Sequence, residues 1–156
     1  MKSCSVLIAR EEGGLVPEAI TLETYAVAHS DGIKALWWES SEINPPAAAD
    51  DAISAKLAVQ PELLIVALEG ATVVGSIMPG YDGHRGWLYA LAVLESHRRQ
   101  GIGTLLVREA ERRLRALGCT KINLQVRSTN SAVTEFYAKL GYSVEERISM
   151  GKRVEP

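Results

Sequence analysis

Apolar residues recur along this chain with two periods, and the switches between them predict most of its elements. ITLETYAVAH, from Ile20 to His29, alternates as a strand does. Residues 31–40 read as a short helix capped by Asp31, with Ile33, Leu36 and Trp37 on one face. Pro45-Pro46 interrupts the chain, and residues 47–59 read as a second helix with Ile53, Leu57 and Ala58 apolar. Leu63–Leu68 is almost continuously apolar, the mark of a strand buried on both faces. Glu69-Gly70 turns it into Thr72–Met78 as a hairpin. Pro79 and the glycine-rich run 80–86 form the next loop, and Trp87–Val93 returns as a strand.

Beyond that strand the period becomes helical. Ile102, Leu105, Leu106, Ala110, Leu114 and Leu117 form one stripe, Glu109–Arg113 and Glu111–Arg115 pair on the other side, and Gly118 ends the helix. Lys121–Val126 alternates again. Ser128-Thr129-Asn130 introduces a helix over 131–140, striped by Val133, Phe136, Tyr137 and Leu140 and stopped by Gly141. The stretch from Tyr142 to Val154 is expected to give one or two final strands. Residues 1–19 stand apart as an N-terminal extension, with Val6–Ala9 as one short strand, and residues 20–156 are expected to form a single domain. The order of elements makes this a mixed α+β domain with a meander in its middle; a doubly wound fold would alternate strand and helix more strictly.

Composition bounds the function. With 156 residues, 47% of them hydrophobic and 23% charged, the chain suits one soluble domain with a sizeable core. No apolar run approaches the roughly 18–20 residues that span a bilayer, and the N-terminus lacks the features of a signal peptide. Cys4 and Cys119 have no metal or CxxC spacing, and His29, His84 and His97 are scattered. Free thiols in the cytoplasm and no metal are therefore expected. The net charge of −2 hides an asymmetry: residues 1–78 carry 4 basic and 11 acidic side chains, residues 79–156 carry 13 and 8. A polyanion suits the second half and a cationic acceptor the first, though a solvated surface gives the same counts. The balance argues against nucleic-acid binding.

The chemistry points to residues 98–104. Arg98, Arg99, Gln100, Gly101, Ile102, Gly103 and Thr104 join an apolar strand to a long helix, where unpartnered N–H groups and the helix dipole favour an anion. The run is not GxGxxG and not GxxxxGK[ST], so neither the dinucleotide fingerprint nor the P-loop applies. A plain strand-to-helix turn with surface arginines satisfies the loop alone.

Strand, Arg-Arg-x-Gly-x-Gly, long helix, strand, Asn130, then Phe136–Tyr142 as FYAKLGY: this arrangement resembles the GNAT superfamily of acyl-coenzyme A N-acyltransferases. GYDGHRG at 80–86 and GKR at 151–153 are similar to the small bacterial acetyltransferases of the YpeA type. The resemblance implies a central mixed sheet, mostly antiparallel with one splayed parallel pair, flanked by about four helices. It implies that residues 98–104 surround the pyrophosphate of acetyl-coenzyme A (acetyl-CoA). Leu91, Ala92 and Val93 would pair through their backbone with the pantetheine amides, beside a bulge and a gap before strand 121–126. Asn130 would contact the pantetheine arm, and Tyr137 would protonate the departing thiolate; the same Tyr137 also fits a plain core position.

A general base is not assigned. WLYALAV has no carboxylate where many relatives carry one, Tyr89 is its only polar member, and Asp82 and His84 fit a turn equally well. The acceptor side would fall around Trp38, Glu39, Glu42 and Asn44 and around Arg147–Gly151. The expected reaction moves an acetyl group from acetyl-CoA to a primary amine, on a small molecule or a protein N-terminus, without a covalent enzyme intermediate. The missing carboxylate leaves a second reading, a non-catalytic acyl-CoA binding or sensing module. Neither nucleic acid nor membrane is an expected partner, and a homodimer stays open beside a monomer.

Overall fold

A computed structural model describes residues 19–40 and 46–154. The expected strand at Val6–Ala9, Cys4, Glu42 and Asn44 lie outside the described residues. Two compact units divide the chain, one reaching to Leu124 and the other starting at Gln125.

The first unit is built on a five-stranded sheet. Its strands are β1 (Ile20–Thr24), β2 (Ile65–Glu69), β3 (Thr72–Tyr81), β4 (Gly86–Val93) and β5 (Ile122–Asn123), in that spatial order. All neighbours are antiparallel except β4 and β5. The helices of this unit are α1 (Ser30–Ser40), α2 (Pro46–Val59) and α3 (Ile102–Ala116). On one face, Leu64, Val66 and Leu68 pack with Ile33, Leu36, Trp37 and Ile53 from α1 and α2. Ile65 and Ala67 alternate to the other face and are equally buried, alongside Leu106, Val107, Ala110 and Leu114 of α3. Each valine, leucine and isoleucine among them contributes roughly 1.5–3 kcal/mol by leaving water. Close approach has local conditions. A Cβ on Gly75 would stand 3.0 Å from Leu106 Cδ1, and one on Gly32 would stand 2.8 Å from Val73 Cγ2. The Trp37 indole N–H donates to buried Ser76 Oγ at 2.8 Å, which satisfies both polar atoms in the core.

Several elements differ from the sequence reading. The first strand ends at Thr24, not His29: Ala26 N–H donates to His29 Nδ1 at 3.0 Å, and a 3-10 turn over Val27–His29 leads straight into α1. Helix α1 therefore starts at Ser30, with Asp31 inside its first turn.

The third strand does not stop before Pro79 but continues to Tyr81. Its pairing with β2 ends at Ile77, so Pro79 and Tyr81 face a sheet edge on that side. Gln60 exchanges two bonds there, with Tyr81 N at 3.1 Å and Tyr81 O at 2.8 Å, and the Lys56 ammonium donates to Pro79 O. Proline is tolerated because the N–H it lacks belongs to that edge.

The strand expected at 121–126 is reduced to Ile122–Asn123, paired only with Gly86 and Trp87. Gly86 is pinned there, since a Cβ on it would meet Cys119 Sγ at 2.8 Å and Leu114 Cδ1 at 3.0 Å.

The second unit contains α4 (Ser131–Lys139), whose N-terminus is capped by Asn130. The one or two final strands expected between Tyr142 and Val154 are not formed. A strand needs a partner for its backbone. Here Arg147 N–H instead turns back onto Glu145 O at 2.9 Å, and Val144, Ile148, Met150 and Val154 are all more than 80% exposed.

Candidate functional site

The irregularity in β4 comes just before residues 91–93. Ser76 faces Ala92 and Met78 faces Tyr89, so one residue of β3 lies opposite two of β4, Ala90 and Leu91. This is a β-bulge, and its first residue, Ala90, has φ 48°, a left-handed conformation that an alanine rarely adopts. Leu94 N–H bonds Val74 O at 2.9 Å, so backbone alternation turns Leu91 and Val93 to the opposite edge of β4. Ladder pairing with β5 has already ended on that edge, at Trp87. Strand β4 thus presents backbone hydrogen-bonding groups beside a gap, as the splayed parallel pair requires.

A 3-10 turn, Glu95–His97, carries the chain from β4 to the loop. Its placement is fixed from two sides. Glu39 Oε1 of α1 accepts Glu95 N–H at 3.1 Å, and His97 Nε2 lies 3.0 Å from Glu69 Oε2 at the end of β2. Glu39, expected on the acceptor side, is therefore committed to holding this turn. Arg98 Nε donates to Val93 O at 3.1 Å, and Gln100 Nε2 to Ser96 O at 3.1 Å, so these side chains brace the loop as well as lining it.

Two left-handed residues then aim the chain into α3: Arg99 at φ 58° and Gly101 at φ 85°. Gly101 is the N-cap and supplies no capping side chain. The first intrahelical bond runs from Leu105 N–H to Gly101 O at 3.0 Å, which leaves the N–H groups of Ile102, Gly103 and Thr104 ahead of it. A Cβ on Gly101 would meet no atom within 4 Å. An uncapped helix start with open space in front and two exposed arginines alongside has the chemistry of a pyrophosphate cradle. Ile102 itself is buried and anchors the helix, so its contribution here is its backbone.

Asn130 and Tyr137 belong to the second unit. Asn130 Oδ1 accepts Val133 N–H at 3.3 Å, the ordinary work of an N-cap. Tyr137 is buried, edge-on to Phe136 at 5.0 Å and to Tyr142 at 5.5 Å between ring centroids.

Asp82 and His84 form a turn. Asp82 Oδ1 accepts His84 N–H at 2.7 Å and Arg85 N–H at 2.6 Å, and these bonds, Arg85's first, hold its carboxyl below the usual range. A carboxylate so engaged makes a poor base. Trp37 is core, and Trp38 is exposed. Among the described residues no cluster of His, Cys, Asp and Glu could hold a metal ion, and no helix is long and apolar enough to cross a membrane. The bulge had no local signal in the sequence, since nothing marks Ala90 as left-handed. The two supports of the 95–97 turn join residues 56 and 28 positions apart and were equally invisible.

Known proteins share this fold. A family model described as Acetyltransferase (GNAT) family matches residues 30–142. An acetyltransferase of Yersinia pestis is 41% identical over 119 residues, covering 76% of this chain and 84% of its own. Among solved structures, aminoglycoside N-acetyltransferase AAC(6')-Iy in complex with a CoA bisubstrate analogue superposes with a TM-score of 0.74 at 16% identity, over 86% of this chain and 98% of its own. Glucosamine-6-phosphate N-acetyltransferase from Arabidopsis thaliana superposes with a TM-score of 0.66 at 18% identity, over 88% and 100%.

Proposed function

The chain belongs to the acetyltransferase (GNAT) family and is an acyltransferase enzyme, and from that premise we propose that it transfers an acetyl group from acetyl-CoA to a primary amine by direct attack in a ternary complex. The observation that carries this reading is the continuity of bulge, braced turn and uncapped helix start within residues 90–104.

Acetyl-CoA supplies an electrophilic thioester carbonyl and a thiol leaving group. The backbone of Leu91 and Val93, on the edge of β4 beyond its pairing with β5, would hydrogen-bond the pantetheine arm with Ala92 between them, Val93 O accepting from Arg98 Nε as well. The N–H groups near Ala92–Val93 would polarise the carbonyl. Ile102, Gly103 and Thr104 N–H groups, with Arg98, Arg99, Gln100 and Gly101, would hold the pyrophosphate. Asn130 would meet the pantetheine arm through whatever its capping bond leaves available. Tyr137 would give its phenolic proton to the departing sulfur, a transfer between groups of comparable basicity. In the same reading residues 20–156 work as one domain, and the enzyme is cytoplasmic. Its acceptor is a small amine or a protein N-terminus. The solved acetyltransferases above act, by name, on an aminoglycoside and on glucosamine-6-phosphate, which supports an amine here without selecting it.

Titration with acetyl-CoA, followed by thiol release over a panel of amines and N-terminal peptides, tests this. Tight binding with amine-dependent release of one thiol per acetylated product is expected. Tight binding without turnover on any amine would instead support a binding or sensing module.

A further inference from the structure

The reaction scheme leaves unused an aromatic pair on β4. Trp87 and Tyr89 are two residues apart and so share one face of the strand. Their rings are stacked, with centroids 6.3 Å apart and planes 17° from parallel. Tyr89 is 49% exposed, so its ring is available from solvent. Gly80 lies opposite Trp87 on β3, and a Cβ there would stand 3.7 Å from Tyr89 Cε2 and 3.8 Å from Lys56 Nζ. Glycine thus leaves the area beside the rings low, with Lys56 at its margin.

The position along the strand gives this pair its interest. Tyr89 immediately precedes Ala90, the left-handed first residue of the bulge. Leu91, Ala92 and Val93 follow Tyr89 across the bulge, so the backbone groups near Ala92–Val93 stand at most about 14 Å from it. A ligand body resting on the rings would therefore lie within a small molecule's length of the backbone groups assigned to the thioester. Aromatic faces attract flat apolar bodies and single cations. The margin is selective as well. The Lys56 ammonium is anchored by Pro79 O and Gln60 Oε1, so it cannot swing away freely from a second positive charge. Burial raises the Tyr89 phenol, with Asp82 adding to the effect, which keeps it neutral and unsuited to act as a base.

We propose that Trp87 and Tyr89 are specificity-determining residues that seat the flat, apolar body of the amine acceptor, and that the preferred acceptors are monoamines bearing such a body rather than polyamines. This rests on the transferase reading above.

The test uses the full chain, with phenethylamine, tryptamine, ethanolamine and spermidine as acceptors. Wild-type enzyme is expected to have its highest kcat/KM with the two arylalkylamines. Trp87→Ala and Tyr89→Ala should raise the KM for phenethylamine by about fivefold or more, the scale of lost ring contacts. They should leave the KM for acetyl-CoA and the kinetics with ethanolamine nearly unchanged, and Tyr89→Phe should behave as wild type. The acetyl-CoA constant also reports that each variant has folded. Preference for spermidine, or equal losses on phenethylamine and ethanolamine, would overturn the assignment while leaving the transferase intact. Absence of turnover on every amine despite acetyl-CoA binding would overturn both.

Discussion

Single positions carry the sharpest demands of the proposed site. Gly101 combines φ 85° with a Cβ direction that meets nothing within 4 Å. The glycine is therefore needed for its backbone conformation, and any side chain there would project into open space ahead of α3. Gly101→Ala should cost about 1–2 kcal/mol of stability through the left-handed backbone alone. Gly101→Glu should cost a similar amount and also weaken acetyl-CoA binding more than about tenfold, because a carboxylate near a pyrophosphate repels it. Calorimetric titration beside thermal unfolding separates the two effects. Unchanged affinity in Gly101→Glu would remove the pyrophosphate from this loop. Tyr137 poses the opposite problem, since its burial against Phe136 and Tyr142 explains it as packing without any chemistry. Tyr137→Phe keeps the ring and removes only the hydroxyl. It should lower kcat by about tenfold or more while leaving acetyl-CoA affinity near wild type, as expected for a lost proton donor. Equal turnover would leave Tyr137 as core.

Among the elements, the β3–β4 hairpin makes a prediction about pH. Its turn is organised by the Asp82 carboxylate, whose pKa the bonds from Arg85 and His84 N–H depress below the ordinary value of 3.8. A depressed carboxylate stabilises the fold fully above its unfolded value, and the contribution is lost as pH falls through the folded one. Asp82→Asn should therefore melt below wild type at neutral pH. The difference should shrink once the pH drops under 3.8 and approach nothing in stronger acid. A constant difference across that range would assign the effect to shape rather than charge. The elements also show what could be read in advance. Periodicity located α3 and the buried β2 because burial of a stripe or a run is written into consecutive residues. Pro79 misled, since whether a missing N–H matters depends on how far the neighbouring strand reaches, and β2 begins only at Ile65, the partner of Ile77. The final strands misled for a related reason: the residues from Tyr142 to Val154 alternate, yet their backbone has no ladder partner among the described residues. At the site, the loop was legible from its glycines and arginines. The bulge was expected only through the family resemblance, and the Glu39–Glu95 and His97–Glu69 contacts were not legible, because each depends on a neighbour distant in sequence.

For the whole molecule, charge distribution is the property most open to test. Residues 1–78 sum to −7 and residues 79–156 to +5, from 4 against 11 and 13 against 8 charged side chains. Some of the positive excess is neutralised locally: Arg112 and Arg113 both bond Glu109, and Arg108 bonds Glu111. Arg98 and Arg99 are exposed beside the uncapped start of α3 and form no ion pair among those found in the described residues. If these two guanidiniums attract the pyrophosphate, their contribution is a surface interaction and must respond to salt. Between about 0.1 and 1 M salt the screening length falls from about 10 to about 3 Å. The KM for acetyl-CoA should rise severalfold over that interval, and Arg99→Gln should raise it at low salt while flattening the dependence. Hydrogen bonds from the helix N–H groups are short-ranged and should persist, so binding weakens without vanishing. An acetyl-CoA KM indifferent to salt in both proteins would mean that backbone donors alone hold the anion. The basic half of the chain would then be surface without a role in binding.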